Sequence, residues 1–404
     1  MKESSIHQHF SQLTDPRIER TKKHPLINII FIAFCAVLCG AEDWCSIEKF
    51  GKLRFKLFKQ FLDLSAGIPS HDTFSRVFSL LDTTQFKQCF MSWVAPLATK
   101  SKKVIAIDGK TLRATKDKVR DLGALHLVNV WCCENQLVLG QQAVTDKSNE
   151  IKAIPLLLDL LDMSGAVITT DAMGTQKEIS AKIREKEADY VLALKGNHSN
   201  LHNDVRLYFE SLHNEELKLQ PTLYHHRTLE KDHGRIEERN YWTITLPNGL
   251  HSEGWTDLKS IAMVRSTRTI LGVNEETSNE DRFFISSLEA KKIKDIAQAV
   301  RQHWQVENGL HWCLDVGFNE DAWRSKLGNA AENMALVNKM ALNLLKKETT
   351  AKAGIKNKRL MAGWDENYLT KVIMSNLSSR ASPSNCLSTM TLRPCARWAA
   401  LRRH

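Results

Sequence analysis

Residues 104–110 read Val104-Ile105-Ala106-Ile107-Asp108-Gly109-Lys110, an apolar run that ends on a carboxylate. A second run, Ala166-Val167-Ile168-Thr169-Thr170-Asp171, ends in the same way. Short apolar runs of this kind predict buried strands. The carboxyl ends of strands are where α/β folds bind their ligands, so Asp108 and Asp171 are expected at one edge of a sheet.

A third acid, Glu307, lies in residues 302–312, where apolar residues recur at helical spacing. Three carboxylates can hold two divalent cations about 3.5–4 Å apart, which activate an attacking oxygen and stabilise a leaving oxygen in phosphodiester chemistry. Asp108, Asp171 and Glu307 are therefore the predicted catalytic and metal-binding residues. Because all three are hard carboxylate ligands, we expect Mg²⁺, with Mn²⁺ as a substitute.

Other interpretations of the same residues stay open. Asp108-Gly109 is a common turn signal, and Asp171 can cap the helix that follows it. Polar side chains also recur every four residues around the third acid, at His303, Glu307, His311 and Asp315. Such a stripe on one helical face could ligate zinc, or it could be a solvated face opposite Trp304 and Trp312.

Composition favours a polyanionic partner. The formal net charge is +10 and the sequence pI is about 9.1, a balance that promotes binding to nucleic acid. Nine cysteines without paired metal-type spacing predict free thiols in a reducing compartment. Residues 26–39 are apolar but shorter than the about 20 residues of a membrane span, so we expect a core helix and a cytoplasmic protein.

The pattern divides the chain into five parts. They are a helical N-terminal domain at 1–97, the first part of an α/β core at 98–200, a β-rich insertion at 201–289, core helices with the third acid at 290–348, and a partly disordered C-terminal extension at 349–404. In the first part, a helix at 73–81 capped by Ser70 or Asp72 fits either a DNA-binding helix-turn-helix or an ordinary helical bundle. In the first case the side chains offered to DNA are Ser70, His71, Thr73 and Arg76.

The core and insertion alternate between strand and helix patterns. The predicted core elements after residue 110 are a hairpin of 124–130 and 136–144, a helix at 150–161, a strand at 166–170, a helix at 176–186 and a strand at 190–195. The insertion shows strand patterns at 241–246, 258–264 and 283–287. Basic side chains near these elements are plausible phosphate contacts: Lys110, Arg113, Lys195, Arg235 and Arg239. Trp242 and Trp255 of the insertion could stack on a displaced base or pack in a β layer.

The chain resembles the DDE transposases of bacterial insertion sequences, and specifically the family of H-repeat-associated proteins. The motifs that carry the resemblance are Ala106-Ile107-Asp108-Gly109-Lys110-Thr111-Leu112-Arg113, Lys147-Ser148-Asn149-Glu150-Ile151, Thr169-Thr170-Asp171-Ala172-Met173-Gly174, Leu194-Lys195-Gly196-Asn197, His233-Gly234-Arg235 and His303-Trp304-Gln305-Val306-Glu307-Asn308-Gly309-Leu310-His311-Trp312. The resemblance runs from about residue 7 to about residue 376. It implies an RNase H-like catalytic core in which Asp108, Asp171 and Glu307 form the metal-binding triad.

The resemblance also implies a function. A member of this family is expected to cleave DNA at the ends of an insertion element, transfer the strand into target DNA, and act as a homodimer on paired ends. Two alternatives remain, a metal-dependent nuclease of the same fold and a domesticated, catalytically inactive DNA-binding protein. Val300, His303 and Leu314 stand where the wider group of such transposases often has tyrosine, arginine and lysine, and the tail after about Leu377 differs from the family's ending.

Overall fold

The computed structural model describes residues 5–97, 104–117, 123–144, 149–212, 222–232, 234–271 and 276–374. The tail after Leu377 lies outside the described residues, as do Lys147 and Ser148 of one motif and His233 of another. The predicted disorder of the tail therefore stays a prediction.

The first 97 residues are helical where they are described. Their α-helices are α1 (Ser5–Phe10), α2 (Leu26–Leu38), α3 (Trp44–Leu53), α4 (Phe55–Phe58), α5 (His71–Leu80) and α6 (Thr83–Val94). Helix α2 is the predicted core helix, and every residue from Asn28 to Leu38 is buried because the helix is apolar on all sides. None of the helices in the described parts of the chain is long and apolar enough to span a bilayer.

Helix α5 begins at His71, two residues before the predicted start of the helix. The Ser70 hydroxyl accepts a hydrogen bond from the Thr73 backbone N–H, so Ser70 rather than Asp72 is the N-cap. The apolar face of α5 buries Phe74 and neighbouring side chains, while Arg76 is exposed. A role for this exposed face in DNA binding stays a prediction.

One nine-stranded sheet runs through the rest of the chain. Its strands are β1 (Val104–Leu112), β2 (Leu125–Cys132), β3 (Leu137–Val144), β4 (Val167–Thr170), β5 (Asp189–Leu194), β6 (Leu223–Asp232), β7 (Arg235–Thr245), β8 (Ser260–Ile270) and β9 (Glu276–Ser286). The spatial order is β3-β2-β1-β4-β5-β9-β8-β7-β6. Strands β1, β4 and β5 are parallel, and every other neighbouring pair is antiparallel.

The register of β1 and β4 places two acids side by side. Ile107 pairs with Thr170, so Asp108 and Asp171 are the next residues on adjacent parallel strands. Strand β1 does not end at Asp108, however, because it continues to Leu112 in antiparallel pairing with β2. The interpretation of Asp108-Gly109 as a turn is therefore wrong.

The insertion extends the core sheet. Strand β9 pairs with β5, and β8, β7 and β6 follow outward from it. The sequence patterns missed β6, which contains no buried residue and so lacks apolar alternation. They also missed helix α9 (Ser199–Leu212), which precedes the insertion strands in a region that we expected to be irregular.

Helices cover the sheet and bring in the third acid. They are α7 (Glu150–Leu160), α8 (Lys177–Glu185), α10 (Ile293–His303), α11 (Ala330–Lys347), α12 (Ile355–Trp364) and α13 (Glu366–Met374). Helix α10 packs on β1 and β4, and α11 joins the N-terminal helices to β3. The helix that was predicted to continue through Asp315 breaks at Trp304 and resumes with two π-helical segments, Glu307–His311 and Cys313–Gly317.

Candidate active site

Three elements bring the predicted acids to one cavity. Asp108 lies within β1, Asp171 directly follows β4, and Glu307 opens the first π-helical segment. All three line a cavity of about 400 Å³. The Asp171 carboxylate accepts the Gly174 backbone N–H at 3.0 Å, which holds it at the start of the next loop.

His311 forms a close group with two of the three acids, Asp108 and Glu307. Its Nδ1 lies 3.0 Å from a Glu307 oxygen and 3.7 Å from an Asp108 oxygen. The ligand atoms of Asp108, Glu307 and His311 all lie within 4.8 Å of one another. The Nε2 atom of His311 is buried and makes no hydrogen bond to any described residue. The sequence signal for His311 was its position four residues after Glu307.

The electrostatics of the cavity fit a divalent cation. The pKa of Asp108 is raised to about 6, because burial raises it, the charge of His311 partly opposes that shift, and the charge of Asp171 adds to it. A hydrogen bond from His311 lowers the pKa of Glu307. A bound cation favours ionised carboxylates and offsets both the burial and the repulsion between acids. Hard carboxylate oxygens beside an imidazole are a suitable donor set for such an ion.

The four residues of the predicted polar stripe do not share one set of partners. His303 is half-buried, and its Nδ1 lies 3.0 Å from the Thr169 hydroxyl. Desolvation lowers the pKa of His303 to about 4. Asp315 instead contacts Lys110 at 2.6 Å. The four side chains therefore do not present one face of ligands, because the π-helical turns change their spacing around the axis.

His126 and Glu150 form a buried pair that contacts β1 next to Asp108. His126 Nε2 lies 2.5 Å from a Glu150 carboxylate oxygen, and its Nδ1 lies 2.7 Å from the Thr111 hydroxyl. A Cβ atom at Gly109 would lie 2.3 Å from that same carboxylate oxygen. Gly109 is thus required by close packing next to Asp108. Glu150 belonged to one of the motifs of the resemblance, but no role was predicted for it.

The predicted phosphate contacts differ in the exposure of their side chains and in whether a carboxylate already pairs with them. Lys195 is exposed and lines the cavity, and the Arg113 side chain is 86% exposed. Their roles as DNA contacts stay predictions. Lys110 lies in a buried cluster of carboxylates, with its side chain 6% exposed. On β7, Arg235 pairs with Glu237 at 2.8 Å, and Arg239 pairs with Glu230 at 3.1 Å as well as with Glu237.

The tryptophans of the insertion lie outside the cavity. Trp242 stacks on His225 with ring centroids 5.1 Å apart, and Trp255 is buried with its ring edge-on to His198. The tryptophan that lines the cavity is Trp304. The sequence pattern placed Trp304 opposite the polar stripe and did not assign it to the site.

Comparisons with known proteins agree with this architecture. The family model described as Transposase DDE domain matches residues 99–344, and a model described as DDE_Tnp_1-associated matches residues 7–94. The chain is 39% identical over 377 residues to "H repeat-associated putative transposase YhhI" of Escherichia coli (strain K12), covering 92% of this chain and 98% of the relative.

A second relative supports the same family. "Putative transposase YncI" of Escherichia coli O157:H7 is 39% identical over 383 residues, which cover 92% of this chain and 95% of the relative. A solved structure of the piggyBac transposase synaptic complex with hairpin DNA aligns at a TM-score of 0.38 and 9% identity, covering 94% of this chain and 78% of that one. That structural similarity is too low to carry an argument.

The site and the matched family define a DDE-type DNA transposase, an enzyme class that uses divalent metal. Within that class, the chain belongs to the family of insertion-sequence transposases that includes the H-repeat-associated proteins. The predicted family is confirmed.

Proposed function

We propose that this transposase cleaves DNA at the ends of its element and joins the freed 3′-hydroxyl to target DNA. The observation that carries the proposal is the convergence of Asp108, Asp171 and Glu307 on one open cavity. The three acids come from distant parts of the chain, and their charges repel one another unless cations are bound between them.

The three acids are the proposed metal ligands, with His311 beside Asp108 and Glu307. Mg²⁺ is the proposed ion and Mn²⁺ its substitute, because the principal donors are carboxylate oxygens. Divalent cations bound in such a pair activate the attacking oxygen and stabilise the leaving oxygen of an in-line displacement. The chain's own part is to hold the acids in place through the β1–β4 register and the π-helical segment.

The fold supports a more specific description of the core. Strands β3, β2 and β1 are antiparallel neighbours, and β4 and β5 continue the sheet parallel to β1. This order, with two acids at the β1–β4 junction, supports the proposal of an RNase H-like core. The predicted domain limits at 97, 200, 289 and 348 remain our proposal.

The proposed partners are element-end DNA and target DNA, bound by a homodimer so that both ends are cut and inserted together. Lys195, which lines the cavity, and Arg113 are the proposed phosphate contacts, because both side chains are exposed. The exposed face of α5 is a further proposed contact with the element end. We propose the cytoplasm as the location, with the cysteines present as thiols.

A plasmid that carries the inverted repeats flanking the gene tests the function. The purified protein, with Mg²⁺ or with EDTA, is expected to cut the repeats and join them to a second plasmid only when the metal is present. Glu307→Gln is expected to bind the repeats but not to cut them. Glu178→Gln, a change at an exposed acid on α8 outside the cavity, is the matched control and should cut like the wild type.

Three outcomes would overturn parts of the proposal. Cleavage by Glu307→Gln at the wild-type rate would remove Glu307 from the site. Cleavage without joining would identify a nuclease, and binding without cleavage in Mg²⁺ would identify an inactive DNA-binding protein.

A further inference from the structure

The turn that carries Asp171 is held in place by several hydrogen bonds. This acid turn, residues 171–175, begins after β4, and its Gly174 N–H donates to the Asp171 carboxylate. The Thr175 side chain is fully buried, and its hydroxyl lies 3.0 Å from the Asp171 carbonyl oxygen and 2.7 Å from the Ala193 carbonyl oxygen. Because Ala193 belongs to β5, this hydroxyl ties the acid turn to the neighbouring strand.

A second turn holds the acid turn from the side. It follows β5 as one turn of 3₁₀-helix, Gly196–His198. The Asn197 amide donates to the Ala172 carbonyl oxygen at 2.8 Å, and His198 Nε2 lies 2.6 Å from the Thr175 carbonyl oxygen. Since a carbonyl oxygen can only accept, His198 donates from Nε2. The two side chains therefore bind the acid turn near both of its ends.

The insertion and the core both limit the movement of these two turns. Buried Trp255, in the loop between β7 and β8, lies edge-on to the His198 ring with centroids 5.1 Å apart. The acid turn is also closely packed, because a Cβ atom at Gly174 would lie 2.8 Å from Thr170 Cβ and 3.0 Å from Ile154 Cδ1. Trp255 thus has a place in the structure that supports His198.

We propose that Asn197 and His198 are positioning residues for Asp171. The proposal rests on the proposed function, in which Asp171 is a metal ligand. The charges of Asp108 and Asp171 repel each other, so the backbone that carries Asp171 must be held against that repulsion until a cation binds. Asn197 and His198 act through the carbonyl groups of the acid turn. Residues that orient a metal ligand typically affect metal affinity by about 10–100-fold.

Mn²⁺ titrations of the full chain without DNA, followed by electron paramagnetic resonance, test the proposal. Asn197→Ala and His198→Phe each remove one donor, and the phenylalanine ring can still pack against Trp255. Each variant is expected to raise the Mn²⁺ concentration at half-saturation about tenfold, the lower end of the range for residues that orient ligands. The number of bound ions should stay the same. A protein that was only less stable would bind fewer ions at the wild-type affinity.

Asn200→Ala is the matched control. Asn200 is an exposed residue of α9, three positions after Asn197, and its variant should keep the wild-type Mn²⁺ affinity. Amide hydrogen exchange, measured in EDTA, gives a second result that needs no metal. Exchange within residues 171–175 is expected to be faster in Asn197→Ala than in the wild type or in Asn200→Ala.

Two results would overturn the proposal. One is a wild-type Mn²⁺ affinity in both Asn197→Ala and His198→Phe, and the other is unchanged hydrogen exchange of the acid turn in Asn197→Ala. A wild-type protein that bound no Mn²⁺ would overturn it as well. Because neither measurement contains DNA, the plasmid test of cleavage and joining shows separately whether the proposed function fails.

Discussion

Two acidic clusters each involve one residue of β1 and one residue of the π-helical segments, yet they differ in what surrounds them. The open cluster consists of Asp108, Asp171 and Glu307. The closed cluster consists of Asp315, Glu320 and Asp321 around the Lys110 amine, at distances of 2.6, 3.5 and 3.2 Å. Asp108 and Lys110 are two residues apart on β1 and therefore point to the same face of the strand, yet they belong to different clusters.

The two clusters differ in whether a lysine or arginine neutralises their carboxylates. Within the described ranges, no lysine or arginine forms an ion pair with an acid of the open cluster. The basic residue that contacts two of these acids, Asp108 and Glu307, is His311. In the closed cluster Lys110 contacts all three acids, and Lys339 lies 4.0 Å from Glu320. Acids that already have a buried cation have little charge left for a metal. We therefore propose the open cluster, and not the closed one, as the metal site, because the fold withholds a lysine or arginine from it and leaves a cavity.

The largest effect is expected in the open cluster. Asp108→Asn should reduce Mg²⁺-dependent cleavage at least about 100-fold, since changes to residues that merely orient ligands already cost 10–100-fold. Asp321→Asn, the matched change in the closed cluster, should cleave within a few-fold of the wild type. Gel assays of cleavage and anisotropy assays of DNA binding check both variants. Comparable losses in the two variants would contradict the division into open and closed clusters.

The closed cluster should instead govern stability. Lys110→Met leaves three partly or fully buried acids without their shared cation, so we expect the free energy of unfolding to fall by about 3–5 kcal/mol. Arg113→Met is the control, because the Arg113 side chain is 86% exposed and lies 3.7 Å from Asp321; it should change by at most about 0.5 kcal/mol. Urea unfolding measures both. A stable Lys110→Met protein would refute the structural role of Lys110.

The second lysine of the closed cluster predicts a pH dependence. Burial lowers the pKa of Lys339 to about 8 from its ordinary 10.5. Between these values the unfolded chain binds more protons at Lys339 than the folded chain does, so the free energy of unfolding should rise with pH in that window. Lys339→Met should lose this rise, on the order of 2–3 kcal/mol. Parallel rises in both proteins from pH 8 to 10.5 would show that Lys339 does not cause it.

The smallest expected effect concerns DNA at the rim of the open cluster. Lys195→Ala should make the slope of log affinity against log salt shallower by about 0.9, the value for one duplex phosphate contact. Lys152→Ala, a change at an exposed lysine on α7 that does not line the cavity, should leave the slope unchanged. Titrations of labelled duplex at several salt concentrations measure the slopes. Equal slopes for Lys195→Ala and the wild type would remove this contact.

Local sequence patterns were sufficient for much of the architecture. The apolar runs before Asp108 and Asp171 specified buried neighbouring strands, because a short β-rich run with a polar end has few other places in a fold. Helix α2 was readable from its unbroken apolar composition, and the Ser70 cap from a local side-chain-to-backbone hydrogen bond. Strand β6 was not predicted, because none of its residues is buried and its pairing with β7 uses backbone groups.

The sequence by itself therefore determined the family and the strands that precede Asp108 and Asp171, and it supplied the proposal of the three acids. Only the tertiary structure decided which charged side chains are neutralised by a neighbour and which remain able to contact a metal ion or DNA. Lys110 resembled a phosphate contact until Asp315, 205 positions later, was placed against it. Contacts between distant parts of the chain also place His311 next to Asp108. They likewise make Trp304, and not Trp242, part of the cavity lining. Neutralisation and burial depend on contacts between residues far apart in the chain, and no local pattern contains those contacts.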